Sequence, residues 1–129
     1  MPVIGIGVDV VHFPRIISLM AKRGHDRLAR RILSPEELQT FRPNSPDCAR
    51  FLAVRFSVKE AAYKAIYPHA KPTWKDFTYR SVDTERAASK PQLFYHPSSG
   101  GSKGTEWRFH VSVSHDGEYV FSNVLVEDQ

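Results

Sequence analysis

Two carboxylates stand out in this chain because each one interrupts an apolar segment. Asp9 lies within residues 5–11 (GIGVDVV), and Glu60 lies within the mostly apolar residues 51–66. A buried carboxylate loses solvation free energy unless a cation compensates its charge, and a metal ion is one such cation. Two hard carboxylate oxygens, with positions left for water and phosphate, are typical of a Mg²⁺ site for phosphoryl chemistry. The alternative for Asp9 is an acid on an edge strand or in a turn that simply reaches solvent.

Lys64 is the third residue of interest, because it follows Glu60 by four positions and therefore shares a helix face with it. The alternative interpretation is an ordinary intrahelical ion pair, which stabilises an exposed helix by only about 0.3 kcal/mol. For Arg55, Ser57 and Lys59 on the same stretch, the alternative to a functional role is likewise that of routine surface residues.

A strictly alternating segment, residues 110–115 (HVSVSH), lies near the C-terminus. Alternation places His110, Ser112 and Ser114 on one face of a strand and the other three residues on the opposite face. A serine beside a histidine suggests a hydrolase, but the sequence has no Gly-x-Ser-x-Gly nucleophile elbow. The single Cys48 and the scattered histidines show no zinc-ligand spacing, so a zinc site is not predicted.

The 129 residues are enough for one domain, which we assign to residues 1–129. No apolar run is long enough to span a membrane, and the first residues resemble neither a secretory signal nor a presequence. We therefore expect that any natural transit peptide is missing from this chain. The single cysteine excludes an internal disulfide and suits a reducing compartment. The net charge of +4 favours acidic partners. Basic residues are concentrated between Arg15 and Arg31, which predicts a docking surface or else a solvated helix face.

The elements that must position these residues are a first strand, a long helix and a C-terminal sheet. Residues 3–11 are rich in Val and Ile and predict the strand, and residues 34–37 (SPEE) predict a capping box at a helix start. Asp47 is predicted to cap a long, largely buried helix that runs to about Tyr67. Further strands are predicted at 77–82, 92–95, 107–114 and 119–126, with a hairpin turn at Asp116-Gly117 and a flexible Gly/Ser loop at 96–104. The order of strand, helices and antiparallel sheet predicts an α+β fold.

Four segments together resemble the holo-acyl-carrier-protein synthase family, the small single-domain phosphopantetheinyl transferases. They are GIGVDVV at 5–11 followed by Arg15-Ile16, LARRILSPEEL at 28–38, RFLAVRFSVKEAAYKA at 50–65, and HVSVSH at 110–115 with the final strand. The resemblance covers almost the whole chain. Residues 66–74 depart from the glycine-rich turn usual in bacterial members, and the chain is more similar to eukaryotic members, including fungal mitochondrial ones.

The resemblance implies an enzyme that moves the 4′-phosphopantetheine group of coenzyme A onto a serine of an apo-acyl carrier protein and releases 3′,5′-ADP. Asp9 and Glu60 would hold the Mg²⁺ that bridges the pyrophosphate, and Lys64 would bind a phosphate oxygen or protonate the leaving group. The proton of the carrier serine would pass to Glu60 or to a water molecule on the metal, and the sequence leaves both open. His110 would contact the nucleotide part of coenzyme A, and Arg55 its phosphates.

The resemblance also implies partners and an assembly. Family members are typically homotrimers with the site between subunits, so a homotrimer is expected. The carrier is acidic, and Arg15 is expected to contact it. No nucleic-acid or membrane partner is expected, and the compartment is expected to be the mitochondrial matrix or the cytoplasm. Ser112, Ser114 and His115 receive no role.

Two rival hypotheses belong to other functional classes. The first is a basic nucleic-acid-binding module, which would leave the acids Asp9 and Glu60 unexplained and which lacks the aromatic pattern of an RNA-binding sheet. The second is an inactive scaffold of the same fold. The joint presence of Asp9, Glu60 and Lys64 argues against it.

Overall fold

The computed structural model describes residues 2–81, 90–98 and 106–129 and has an α+β architecture. In chain order its elements are β1 (Val3–His12), α1 (Phe13–Arg23), α2 (His25–Ile32), α3 (Pro35–Thr40), α4 (Cys48–Ile66), a 3₁₀ helix (Trp74–Asp76), β2 (Phe77–Arg80), β3 (Gln92–Tyr95), β4 (Trp107–Asp116) and β5 (Tyr119–Asp128). The N-terminal strand, the long helix and the antiparallel C-terminal strands confirm the predicted fold class.

The main sheet is antiparallel and ordered β1-β5-β4, so the strand that carries Asp9 is an edge strand. Asp9 pairs with Ser122 of the central strand β5. The β4–β5 hairpin turns at Gly117, whose φ of 56° is one that glycine adopts without steric cost. The hairpin predicted at this position is therefore confirmed. A second sheet pairs β2 with β3 antiparallel.

Helix α4 packs directly against the inner face of the main sheet, and two glycines of β1 permit this contact. A Cβ atom at Gly7 would overlap the carbonyl oxygen of Ala61, and one at Gly5 would overlap that of Ala65. Because no side chain separates strand from helix, the backbone of β1 lies against the turn of α4 that contains Glu60. This close approach positions the candidate site.

The outer face of the same sheet carries apolar side chains that remain exposed among the described residues. Ile6, Val8 and Val10 of β1 and Phe121 of β5 are all exposed. Large apolar side chains that cluster on one exposed face commonly mark a surface for contact with another chain.

The core beneath α4 contains a buried ion-pair network, which corrects one interpretation of the sequence. Arg55, Ser57 and Lys59 are not surface residues, since all three are buried. Lys59 Nζ donates to a carboxylate oxygen of Glu37 and to the carbonyl oxygen of Ile32 at 2.8 Å, and Arg55 Nε lies 3.6 Å from Glu37 Oε2. Burial lowers the pKa of Lys59, and the Glu37 carboxylate opposes that shift. The network joins α4 to α3 and to the end of α2.

The helix starts differ in how far they follow the prediction. Ser34 forms the predicted capping box with Glu37, whose carboxylate accepts from the Ser34 amide at 2.8 Å. Asp47 occupies the N-cap position of α4, but its side chain forms no capping hydrogen bond, so that part of the prediction is wrong.

The strands follow the prediction with small differences in length. β1 and β5 extend slightly beyond the predicted ends, whereas β2 ends at Arg80. Val82 and most of the predicted loop at 96–104 lie outside the described residues. None of the helices in the described ranges combines the length and apolarity needed to cross a membrane.

Candidate active site

A cavity of about 390 Å³ contains the two predicted metal ligands. Asp9, from β1, and Glu60, from α4, both line it. The wall of the same cavity includes Arg15, Arg23 and Arg31, which come from α1 and α2. The site therefore combines two acids with several guanidinium groups, an arrangement suited to a cation and to a phosphorylated or acidic partner.

Among the described residues, one carboxylate oxygen of Asp9 has no hydrogen-bond partner. Its side chain is 14% exposed, and among the described residues nothing donates to Oδ2, which is buried. The other oxygen, Oδ1, lies 3.6 Å from Lys64 Nζ. Burial raises the pKa of the Asp9 carboxyl; Lys64 and Ser57 oppose the rise, and the neighbouring Glu60 charge adds to it. A buried and partly uncompensated carboxylate on a cavity wall is an environment in which a bound cation stabilises the charged form.

Glu60 is held by a residue that the sequence did not single out. The indole Nε1 of Trp74 donates to Glu60 Oε1 at 2.7 Å. Trp74 itself lines the cavity, and its ring packs against that of Phe56. No spacing rule connects position 74 to position 60, because the contact depends on how the segment after α4 folds back.

Lys64 pairs with the strand and not with its helical neighbour. Its Nζ donates to the carbonyl oxygen of Val8 at 3.0 Å and lies 3.6 Å from Asp9 Oδ1. Within the part of the chain that the structure describes, Lys64 and Glu60 form no ion pair. The ordinary intrahelical pair considered from the sequence is therefore replaced by a contact across to Asp9, made by a half-exposed lysine side chain.

The remaining predicted site residues lie elsewhere in the single chain. His110 is on the exposed outer face of β4, where Nε2 lies 2.7 Å from Glu127 Oε2, and it does not line the cavity. Arg55 is buried on another side of α4, with its guanidinium over the ring of Phe51 at 3.5 Å from the centroid. The structure thus does not bring His110 or Arg55 to Asp9 within one chain. Ser112 and Ser114 are exposed on the same outer face as His110.

The residues at the cavity fit a hard divalent cation that takes few ligands from the protein. Two carboxylates on separate elements supply oxygen ligands. The buried Asp9 Oδ2 accepts no hydrogen bond from the described residues and can therefore bind a cation. No cluster of three or more His, Cys, Asp or Glu suited to a metal occurs in residues 2–81, 90–98 and 106–129. Mg²⁺ is commonly held by one or two carboxylates together with water and substrate phosphates, so the donor set of Asp9 and Glu60 fits Mg²⁺.

The chain is similar to known proteins along almost its whole length. Residues 5–124 match the sequence profile of the 4′-phosphopantetheinyl transferase superfamily. A protein described as 4′-phosphopantetheinyl transferase B, mitochondrial, from Aspergillus fumigatus is 36% identical, over 95% of this chain and 92% of its own. A holo-[acyl-carrier-protein] synthase from Sodalis glossinidius is 50% identical, over 98% of this chain and 99% of its own.

Solved structures give the same result for the fold. The crystal structure of holo-[acyl-carrier-protein] synthase from Neisseria meningitidis superposes with a TM-score of 0.81 at 34% identity, covering 98% of this chain and all of the other. The synthase from Bacillus anthracis, described as a complex with CoA (3′,5′-ADP), gives a TM-score of 0.74 at 26% identity, with 98% of each chain covered. The resemblance identified from four sequence segments is confirmed, and the chain belongs to the 4′-phosphopantetheinyl transferase superfamily.

Proposed function

We propose that this chain transfers the 4′-phosphopantetheine group of coenzyme A to a serine of an apo-acyl carrier protein and releases 3′,5′-ADP, in a Mg²⁺-dependent reaction. The observation that carries the proposal is that Asp9 and Glu60 line the same cavity. The wall of that cavity also contains Arg15, Arg23 and Arg31. Relatives named holo-[acyl-carrier-protein] synthase and the neighbour described as a CoA complex support the substrates.

Asp9 and Glu60 are the residues that would hold the metal. Asp9 would use Oδ2, which has no hydrogen-bond donor among the described residues, and Glu60 would use the oxygen that does not accept from the Trp74 indole. When bound, Mg²⁺ would neutralise charge on the pyrophosphate of coenzyme A. Burial and, to a smaller extent, the charge of Glu60 raise the pKa of Asp9, so a bound cation would stabilise the charged form of this carboxylate.

The transfer itself is a displacement at the β-phosphorus of coenzyme A. The carrier serine oxygen forms the new P–O bond, and the bond to the oxygen of 3′,5′-ADP breaks. The half-exposed side chain of Lys64 lies beside Asp9, so it can donate to a phosphoryl oxygen or to the departing 3′,5′-ADP oxygen. The proton of the serine passes to Glu60 or to water.

The complete site is proposed to form between subunits of a homotrimer. The outer face of the main sheet carries the exposed apolar residues Ile6, Val8 and Phe121, and His110 lies on the same face. Packing this face against a neighbouring subunit would bury the apolar side chains. It would also place His110, which does not line the cavity of its own chain, next to a neighbouring subunit. Arg55 has no comparable route to the ligand, because its guanidinium is enclosed by Glu37 and two aromatic rings.

The acidic carrier protein is proposed to dock on the basic wall of the cavity, with Arg15 as its first contact. Arg15 is exposed and lines the cavity with Arg23 and Arg31, so it can bind an acidic partner while the serine of that partner enters. For the compartment, we propose the mitochondrial matrix or the cytoplasm. A mitochondrial relative from Aspergillus fumigatus supports the first of these.

The direct test is the mass of the carrier. The purified chain is incubated with coenzyme A, Mg²⁺ and an apo-acyl carrier protein, and the carrier should gain the mass of one phosphopantetheine group. Asp9→Asn and Glu60→Gln should each abolish the gain while keeping the wild-type circular dichroism, because they remove a metal-binding charge at nearly constant volume. Full activity in excess chelator, or in both variants, would rule out the metal role.

A further inference from the structure

We propose that Trp74 is a positioning residue, which orients the carboxylate of Glu60 for metal binding. The proposal rests on the proposed function, since it assigns Glu60 to the metal. It adds a residue outside the four sequence segments that carry the family resemblance.

The contact between Trp74 and Glu60 is a short, charge-assisted hydrogen bond. The indole N–H donates to Glu60 Oε1 at 2.7 Å, and within the described residues no other donor reaches that carboxylate. Because the indole has one donor and no acceptor, it engages one oxygen and leaves the second oxygen for a cation. The hydrogen bond therefore fixes the plane of the carboxylate without using both of its oxygens.

The indole ring is itself held in place from several directions. Its centroid lies 5.4 Å from that of Phe56 at an interplanar angle of 59°, and the Arg31 guanidinium lies 5.7 Å from the indole centroid. The backbone at this point is closed by a capping box, in which the Thr73 amide donates to Asp76 Oδ2 at 3.0 Å. A ring fixed by its packing and its backbone can impose a direction on a flexible glutamate.

The hydrogen bond also explains a contact that is missing. Glu60 and Lys64 are four residues apart on α4, a spacing at which a glutamate and a lysine can pair. Here Lys64 instead donates to the Val8 carbonyl oxygen and lies 3.6 Å from Asp9. Trp74 thus provides the hydrogen bond to Glu60 that Lys64 does not, while Lys64 contacts Asp9.

The variant that isolates the hydrogen bond is Trp74→Phe, since phenylalanine retains an aromatic ring against Phe56 but has no N–H. The matched control is Trp107→Phe, the same chemical change at the other tryptophan, which lies on β4 and does not line the cavity. We expect Trp74→Phe to raise the Mg²⁺ concentration for half-maximal transfer by about 10- to 100-fold, as for other groups that orient metal ligands. The KM for the carrier should stay the same, and the control should match the wild type.

A second measurement does not depend on transfer or on the folding of the Trp74 variant. In the Trp107→Phe chain Trp74 is the sole tryptophan, and its emission should change and saturate as Mg²⁺ is added in the presence of coenzyme A. The change should disappear when Glu60→Gln is added to that chain. No change in emission, or a change that persists with Glu60→Gln, would overturn the positioning role.

The outcomes separate this inference from the proposed function. A wild-type enzyme that transfers equally well without Mg²⁺ overturns the metal site and the role of Trp74 together. If the wild type needs Mg²⁺ and Trp74→Phe has the same Mg²⁺ half-saturation, only the role of Trp74 is lost.

Discussion

Replacing Gly7 by alanine tests whether the close contact between β1 and α4 is what sets the active site. A Cβ atom at position 7 would overlap the carbonyl oxygen of Ala61 and lie 2.8 Å from the carbonyl carbon, where ordinary contact begins at 3.4 Å. Strand and helix must therefore separate by at least about 0.6 Å, judged from the carbon contact alone. Metal-ligand distances are tolerant to only about 0.2 Å, so a shift of this size moves Asp9 out of range of a metal held by Glu60.

The expected result is a loss of both stability and Mg²⁺ affinity. Overpacking of this kind costs about 1–3 kcal/mol. At about 4 °C per kcal/mol for a domain of this size, the melting temperature should fall by roughly 4–12 °C. The Mg²⁺ half-saturation of transfer should rise at least about 10-fold.

Two controls accompany the Gly7→Ala measurement. Gly117→Ala introduces alanine at a positive φ but meets nothing within 4 Å, so it should lower the melting temperature by a few degrees and leave Mg²⁺ half-saturation unchanged. Adding Ala61→Gly to Gly7→Ala should not restore activity, because the overlap is with the backbone oxygen that glycine retains. A Gly7→Ala enzyme with the wild-type melting temperature and Mg²⁺ dependence would refute the reasoning.

Three further predictions concern single charges. Lys64→Ala should lower kcat by about 100-fold, because the variant loses a group that stabilises charge on the phosphoryl oxygens. Unchanged steady-state kinetics would show that Lys64 is an ordinary surface residue. Arg15→Glu should raise the KM for the carrier about 10-fold with little effect on coenzyme A affinity measured by calorimetry; the reverse pattern would assign this surface to coenzyme A. Lys59→Met should lower the free energy of unfolding by about 3 kcal/mol in urea titrations, because it leaves the buried Glu37 charge undercompensated. The folded fraction of that variant should keep its kcat, and a stable but inactive Lys59→Met would place Lys59 in the catalytic machinery.

The sequence predicts the elements of this fold well where local rules govern them. The apolar run around Asp9, the capping box at Ser34 and the Asp116-Gly117 turn each depend on neighbours within a few residues, and the structure contains all three elements. Asp47 shows the limit of a local rule: the helix begins after it, but its side chain does not cap the helix.

The interior of the site depended on contacts that no local pattern encodes. Lys59 and Glu60 are adjacent in sequence, yet Lys59 is buried against Glu37 whereas Glu60 faces the cavity. The apolar pattern predicts that the helix is buried. It does not predict that Lys59 pairs with Glu37, which lies 22 positions earlier in the chain. Trp74 was missed for the same reason, because its hydrogen bond to Glu60 joins residues that are 14 positions apart in the chain.

The two faces of strand β1 have different surroundings, because one contacts α4 and the cavity and the other is exposed. This difference restricts insertions and deletions in the strand. Gly7 and Asp9 face α4, and the intervening Val8 faces outward. Inserting or deleting one codon within residues 5–10 would exchange these faces, moving a valine against the Ala61 carbonyl and turning the carboxylate away from the cavity. Exchanges between apolar residues on the outer face keep the strand register, whereas a change of length does not. In an alignment of related sequences, residues 5–10 should therefore contain no insertion or deletion, even where one apolar residue replaces another.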